Sequence, residues 1–185
     1  MDSWTPSFID YLRKAEVKLS SALGGRCRVA VYHEMNKDIL KIIGEIEDER
    51  FRRELRYSER ELTIRSKKRG FTCFIVYFDE KPVAFVFGFD DPEEGTYFSD
   101  SAATLIERKG VGSILTALEA LYCQENRYCS EKMITEELDE SGRRLREYWE
   151  RFGFHVTGTN PKIGVEMRLE LTPENVGFLR NKYLP

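Results

Sequence analysis

Glutamine occurs once in the 185 residues, at Gln124, histidine and tryptophan twice each, and cysteine four times. The cysteines, Cys27, Cys73, Cys123 and Cys129, form no CxxC pair and stand at no metal-ligand spacing from His33 or His155, so no metal is expected. Cys27 and Cys73 sit in apolar, strand-like runs and read as buried. Cys123 and Cys129 are close enough for a disulfide, but reduced thiols are the expectation. The chain has no run of about eighteen apolar residues, so no membrane partner is expected. Asp2 to Pro6 lack the basic and apolar regions of a secretory signal, and a cytoplasmic location is expected by default. Charge of one sign is also missing: 29 basic and 32 acidic residues are interspersed, with a net charge of -3. No nucleic-acid partner is therefore expected. Scarce glutamine with abundant Glu, Lys and Arg is a bias that hyperthermophiles share and many mesophiles reach.

What remains is enough for a folded core, since 41% of the residues are hydrophobic. Thr5 and Pro6 mark a helix start, and Phe8, Leu12, Ala15, Leu19 and Leu23 follow at helical spacing until Gly24-Gly25. A strand is predicted from Arg26 to Tyr32. Asn36 then caps a helix with Ile39, Ile43 and Ile46 on one face. Ser58 and Glu61 form a capping box, with Tyr57 and Leu62 as a hydrophobic staple, predicting a second helix as far as Gly70. Phe71 to Phe78 and Val83 to Phe89 read as a hairpin broken at Asp79 to Pro82, and a further strand runs from Thr96 to about Leu105. After Gly110 and Gly112 a helix carries Ile114, Leu115, Leu118, Leu121 and Tyr122. A short strand at Lys132 to Glu136, a helix from Ser141 to Phe152 and a strand from Phe154 to Thr159 come next. Val165, Met167, Leu169 and Leu171 then alternate with charged residues in a period of two. Thr172-Pro173 starts a last helix with Val176 and Leu179.

The stretch Glu107-Arg108-Lys109-Gly110-Val111-Gly112-Ser113 is a glycine-containing turn after a strand and before a helix. Glycines let the backbone approach a ligand, and the helix N-terminus adds positive potential, so such a turn suits a phosphate. Close helix-strand packing is the competing reason for the glycines. The turn lacks both the Gly-Lys-Ser/Thr ending of a Walker A loop and the third glycine of a dinucleotide fingerprint.

Together with the element order, two motifs give the resemblance. The segment Asp100 to Ser113 resembles the acyl-CoA loop of the GNAT N-acetyltransferase superfamily and its preceding strand. Tyr148-Trp149-Glu150-Arg151-Phe152-Gly153-Phe154 is similar to that family's later aromatic-Tyr-Glu-Lys-x-Gly-Phe segment. The resemblance implies an α+β fold: a mixed, mainly antiparallel sheet of about seven strands flanked by helices, with an added N-terminal helix. It divides the chain into a helical extension (1–25), an acyltransferase domain (26–171) and a short C-terminal helix or tail (172–185), in one compact whole. The extension covers the sheet, packs over the acceptor side, or serves a homodimer contact.

The same resemblance implies an enzyme that transfers an acetyl group from acetyl-CoA to a primary amine by direct attack in a ternary complex. It places the pantetheine arm against Ala102 and Thr104, where the fourth and fifth strands part. Arg108, Lys109, Gly110, Val111, Gly112 and Ser113 would hold the pyrophosphate, mainly through backbone amides. Two positions depart from the family: aligned without a gap, Glu107 stands at a Gln/Arg position, which a one-residue shift would give to Arg108, and Trp149 replaces the tyrosine that protonates the departing thiolate. Tyr148 is the neighbouring substitute, with packing against the sheet as its other reading. Asp100 and Glu136 (or Glu137) are candidates for taking the amine's proton. Glu45, Glu47, Asp48 and Glu49 either attract a cationic amine or form a solvated helix face. His33 and His155 read as packing or strand-end residues. The acceptor is open among protein lysines, N-termini, polyamines, amino acids and aminoglycosides. The alternative to an enzyme is an acyl-CoA-binding module of the same fold that has lost turnover.

Overall fold

The computed structural model describes residues 6–139, 142–160 and 164–184. In chain order these form α1 (Pro6–Leu23), β1 (Cys27–Tyr32), α2 (Lys37–Arg50), a 3-10 turn (Arg53–Leu55), α3 (Glu59–Ser66), β2 (Thr72–Phe78), β3 (Lys81–Asp90), β4 (Thr96–Thr104), α4 (Val111–Glu125), β5 (Ser130–Thr135), α5 (Leu145–Glu150), β6 (His155–Asn160), β7 (Gly164–Glu170) and α6 (Pro173–Tyr183). The strands make one sheet in the order β1-β2-β3-β4-β5-β7-β6. Every neighbouring pair is antiparallel except β4 and β5, which are parallel and joined through α4. The expected α+β architecture is therefore observed, N-terminal helix included.

Local signals account for most boundaries. Asn36 accepts from the Ile39 amide at 3.0 Å, and Ser58 and Glu61 complete the capping box at the start of α3. The β2–β3 hairpin is tighter than predicted. Asp79 and Glu80, with φ of 46° and 64°, make a two-residue turn, so Lys81 and Pro82 already belong to β3. Helix α3 stops at Ser66 rather than near Gly70. Helix α5 is shorter than the predicted Ser141–Phe152. Before it the chain turns on Asp139, which accepts from the Arg143 amide at 2.9 Å, while Leu138 bridges to Arg144. That turn takes up backbone groups a helix would have used; Ser141 itself, like the cap at Thr5, lies outside the described residues.

Apolar side chains pack on both faces of the sheet, which is why β2 and β3 are buried almost throughout. On one face Phe74, Val76 and Val86 meet α4, α6 and the Phe8, Ala15 and Leu19 stripe of α1. On the other, Ile75, Phe85 and Phe87 meet Ile39, Ile43 and Ile46 of α2 and Leu62 of α3. The N-terminal helix thus covers the sheet beside α4 and β1, on the face opposite α2 and α3. Cys123 is buried and Cys129 exposed, and both are free thiols.

The α4 face contains two acids where apolar groups would be the norm. Glu119 of α4 and Glu131 of β5 are 1% and 0% exposed. Ser99 donates to Glu119 at 2.8 Å, and the remaining carboxylate oxygens of the pair find no other group. Burial pushes both carboxyls upward, Glu131 most strongly because Glu119 lies beside it, so a proton is retained between them. Tyr97 and Cys123 adjoin the pair, and no cation is among the groups that shift it.

Linkage fixes the sign of the consequence. An unfolded glutamate ionises near 4.5, whereas the folded pair keeps its proton to higher pH. The folded state therefore binds more protons in that window, and stability is full below about pH 4.5 and lost as pH rises. Glu131→Gln keeps the contact and removes the titration. Its fall in unfolding free energy between pH 5 and 8, followed by urea denaturation, is expected to be smaller than wild type by at least about 1.4 kcal/mol. An equally steep profile in the variant would refute the shared proton.

Candidate active site

Between β4 and β5 the sheet comes apart. The strands pair at four rungs, from Thr96 with Ser130 to Ser99 with Met133, and no further. Beyond Ser99, Ala102, Ala103 and Thr104 continue along Val86, Phe85 and Ala84 of β3, while Ile134 and Thr135 follow Glu166 and Val165 of β7. A bulge marks the branch point: Phe87 faces Ser101 and Gly88 faces Ser99, leaving Asp100 as the extra residue. Bulges bend a strand and re-aim its side chains. Here Asp100 and Ser101 both reach groups supplied by α2 and α3, whereas Ser99 reaches Glu119 on the opposite layer.

Past the end of β4, the loop 105–110 leads into α4. Arg108 (φ 58°) and Gly110 (φ 80°) are both left-handed, and Gly110 is the N-cap residue, with no side chain capping the helix. A side chain on Gly110 would meet nothing within 4 Å, so its role is conformational, with open space above it. The amides of the first turn, Val111, Gly112 and Ser113, thus lack intrahelical partners. Val111 is buried, while Arg108 and Lys109 are exposed. The hydroxyl of Thr104 is spent locally, exchanging hydrogen bonds with the Ile106 backbone. Ala102 is exposed on the free part of β4.

Tyr148 and Trp149 diverge, as neighbours on a helix must. Tyr148 turns its hydroxyl to the first turn of α4: it bonds to Ser113 and lies 3.2 Å from where a side chain on Gly112 would begin. Burial raises its pKa, with the Ser113 bond opposing. The Trp149 indole instead donates to Thr135 Oγ1 at the end of β5 at 3.3 Å and packs against Phe152 at a tilt and Phe154 edge to face.

The three candidate acid-base residues are not brought together. Asp100 is held by Arg65 at 2.7 Å with its side chain 7% exposed, and the Tyr57 hydroxyl also reaches it. Burial raises the Asp100 carboxyl, with Arg65 pulling the other way. Glu136 is ion-paired to Arg52. Sequence reasoning undervalued Glu47. Lys41 pairs with Glu45 and Arg56 with Asp48, a surface arrangement, but Glu47 is 1% exposed. It accepts from the Tyr57 amide at 2.9 Å and the Ser101 hydroxyl at 3.2 Å, and burial pushes its carboxyl up to about 7. The signal was present: Ile39, Ile43, Ile46 and Glu47 share one helical stripe. His33 packs beside Tyr122 near Phe71 and Thr72, and His155 opens β6. Among the described residues no three His, Cys, Asp or Glu side chains group as a metal site, and no helix is long and apolar enough to cross a membrane.

Solved structures that share this shape include N-acetyltransferases. The ribosomal-protein-S18-alanine N-acetyltransferase of Escherichia coli aligns over 78% of this chain and 94% of its own, with a TM-score of 0.63 and 12% identity. The aminoglycoside 6'-N-acetyltransferase of Enterococcus faecium covers 78% and 97%, with a TM-score of 0.65 and 11% identity. An aminoglycoside 6'-N-acetyltransferase complexed with coenzyme A gives the same coverage, a TM-score of 0.64 and 11% identity. The fold is that of the GNAT N-acetyltransferases. No protein-family model matches the chain, and no curated protein matches it by sequence. Within this fold, β4 runs on past the point where it parts from β5 and leads through the loop 105–110 to the uncapped start of α4.

The two paired carboxylates should respond differently to neutralisation. Asp100→Asn strands the guanidinium of Arg65 in a largely buried setting and is expected to cost about 2–3 kcal/mol of stability. Glu136→Gln breaks an exposed pair and should cost less than about 1 kcal/mol. Urea denaturation of both variants tests this, and equal losses would contradict the burial of the Asp100 pair.

Proposed function

We propose that the chain transfers an acetyl group from acetyl-CoA to a primary amine by direct attack, with both substrates in one cleft. The observation that carries this reading is the gap between β4 and β5, which opens onto an α4 N-terminus that no side chain caps. Acetyl-CoA suits that gap. Its pantetheine amides can pair with the free edge of β4 near Ala102 and Thr104, and its diphosphate can rest on the amides of Gly110, Val111, Gly112 and Ser113, with Arg108 and Lys109 adding charge. Orientation and carbonyl polarisation by strand amides would then supply much of the rate enhancement.

An amine such as lysine, with a pKa of about 10.4, must lose a proton before it attacks. Asp100 and Glu136 are each engaged by an arginine, so their part is to position Arg65 and Arg52 unless substrate releases them. Glu47, bonded by neutral donors and poised near pH 7, is the carboxyl best suited to take the proton through Ser101. Tyr148 is the hydroxyl available to the departing thiolate, since Trp149 has only an indole N–H. A thiol with an intrinsic pKa of about 8.5 can also leave unaided. The second reading, a CoA-binding module without turnover, draws its support from Trp149. Protein N-termini, protein lysines, polyamines, amino acids and aminoglycosides all stay within reach as acceptors.

Two measurements test the reading. Acetyl-CoA at a hundred times its Kd should stabilise the fold by about 2.7 kcal/mol, visible as a rise in Tm, and an acceptor panel should release free thiol. No thermal shift with acetyl-CoA or CoA at millimolar concentration would overturn the proposal, and binding without thiol release would favour the module. With a working acceptor, Tyr148→Phe is expected to lower kcat about a hundredfold while acetyl-CoA affinity changes little. Gly112→Val should weaken binding, because its side chain would start 3.2 Å from the Tyr148 hydroxyl.

A further inference from the structure

The loop that begins the proposed diphosphate site also contains a carboxylate, and three arginines surround it. Glu107 is bonded by Arg50, from the last turn of α2, and approached by Arg143, from the loop before α5, at 3.5 Å on its other oxygen. The bond from Arg50, with Arg143 and Arg108 nearby, holds the Glu107 carboxyl below its ordinary range. It is therefore a full negative charge beside a turn suited to anions.

The two main arginines are not equivalent. Arg50 is 27% exposed and joins Glu107 directly, binding it toward α2. Arg143 is 53% exposed and makes the looser contact. Its Nε is tied to Asp139, which leaves the outer edge of the guanidinium free to turn about that anchor. Its charge is also felt at the Tyr148 hydroxyl, the same hydroxyl that bonds Ser113 in the first turn of α4. Arg143 is therefore in contact with Glu107 and within electrostatic reach of the Tyr148 hydroxyl.

We propose that Arg143 is a diphosphate ligand, exchanging Glu107 for the bound acyl-CoA, and that Arg50 holds Glu107 toward α2. The proposal rests on the acyl-CoA reading above. An exposed ion pair is easily given up, whereas a guanidinium on a phosphate makes short, paired, charge-assisted hydrogen bonds. Asp139 is the tether that keeps Arg143 at the cleft in both arrangements. Arg143 thus supplies a cation where Glu107 itself supplies an acid.

The test is calorimetric titration with CoA at several salt concentrations, on wild type and variants checked by their melting curves. Arg143→Gln is expected to weaken CoA binding about tenfold or more and to flatten its salt dependence. Glu107→Gln should tighten binding severalfold. Arg50→Gln should weaken it by releasing Glu107, and the double variant Arg50→Gln/Glu107→Gln should recover the loss. Wild-type binding with Arg143→Gln unchanged, or a double variant no better than Arg50→Gln alone, would overturn this proposal and leave the acyl-CoA reading intact. Failure of both wild type and Glu107→Gln to bind CoA would remove the acyl-CoA reading and this proposal with it.

Discussion

The parting of β4 from β5 after Ser99 is the constraint on which the site depends. Two neighbouring strands in the middle of a sheet normally satisfy each other's backbone groups, and unpaired ones are costly if buried. Here the extra residue at Asp100 bends β4 off its partner, and the facing edges beyond it are left for water or for an extended ligand. The rest of the architecture holds that gap open. β4 is committed to β3 on its far side and β5 is committed to β7, whose buried side chains join the α4 face of the core.

The residues around the branch show how the bulge is held. Ser99 is tied to Glu119 in one layer, while Asp100 and Ser101 are tied to Arg65 and Glu47 in the other. A buried carboxyl therefore lies under each serine flanking the bulge, and both are raised by burial. Such groups rarely add net stability, because removing a charge or a carboxyl from water offsets what its hydrogen bonds contribute. Their position beside the gap is more easily understood as fixing the path of β4 and supplying proton-binding groups than as strengthening the core.

Much of the fold was legible in the chain. The caps at Asn36 and Ser58, the hairpin at Asp79-Glu80, the alternation in β7 and the glycines opening α4 are local signals, and local structure follows them. The α5 boundary was missed because an aspartate turn at Asp139 competes with helix start signals downstream of it. The resemblance carried by the loop and by the Tyr148 to Phe154 segment anticipated that the fourth and fifth strands part. It could not say that Tyr148 would reach Ser113 while Trp149 reached Thr135, since a turn of the short helix decides which side chain meets which strand.

The charged residues divide most sharply between the two levels. From the sequence, Glu47, Asp100, Glu107 and Glu136 are four acids among many, in a chain whose charges are interspersed. Helical and strand periodicity determined which elements form, and Gly110 determined where the chain can turn left-handed into α4. Only the tertiary structure decided that Asp100 meets Arg65, that Glu136 meets Arg52, that Glu107 meets Arg50 and Arg143, and that Glu47 has neutral donors. These partners lie on different elements, far apart in sequence. An ionisable group's charge and reactivity are set by burial and by neighbours within a few ångströms, and chain order does not specify either.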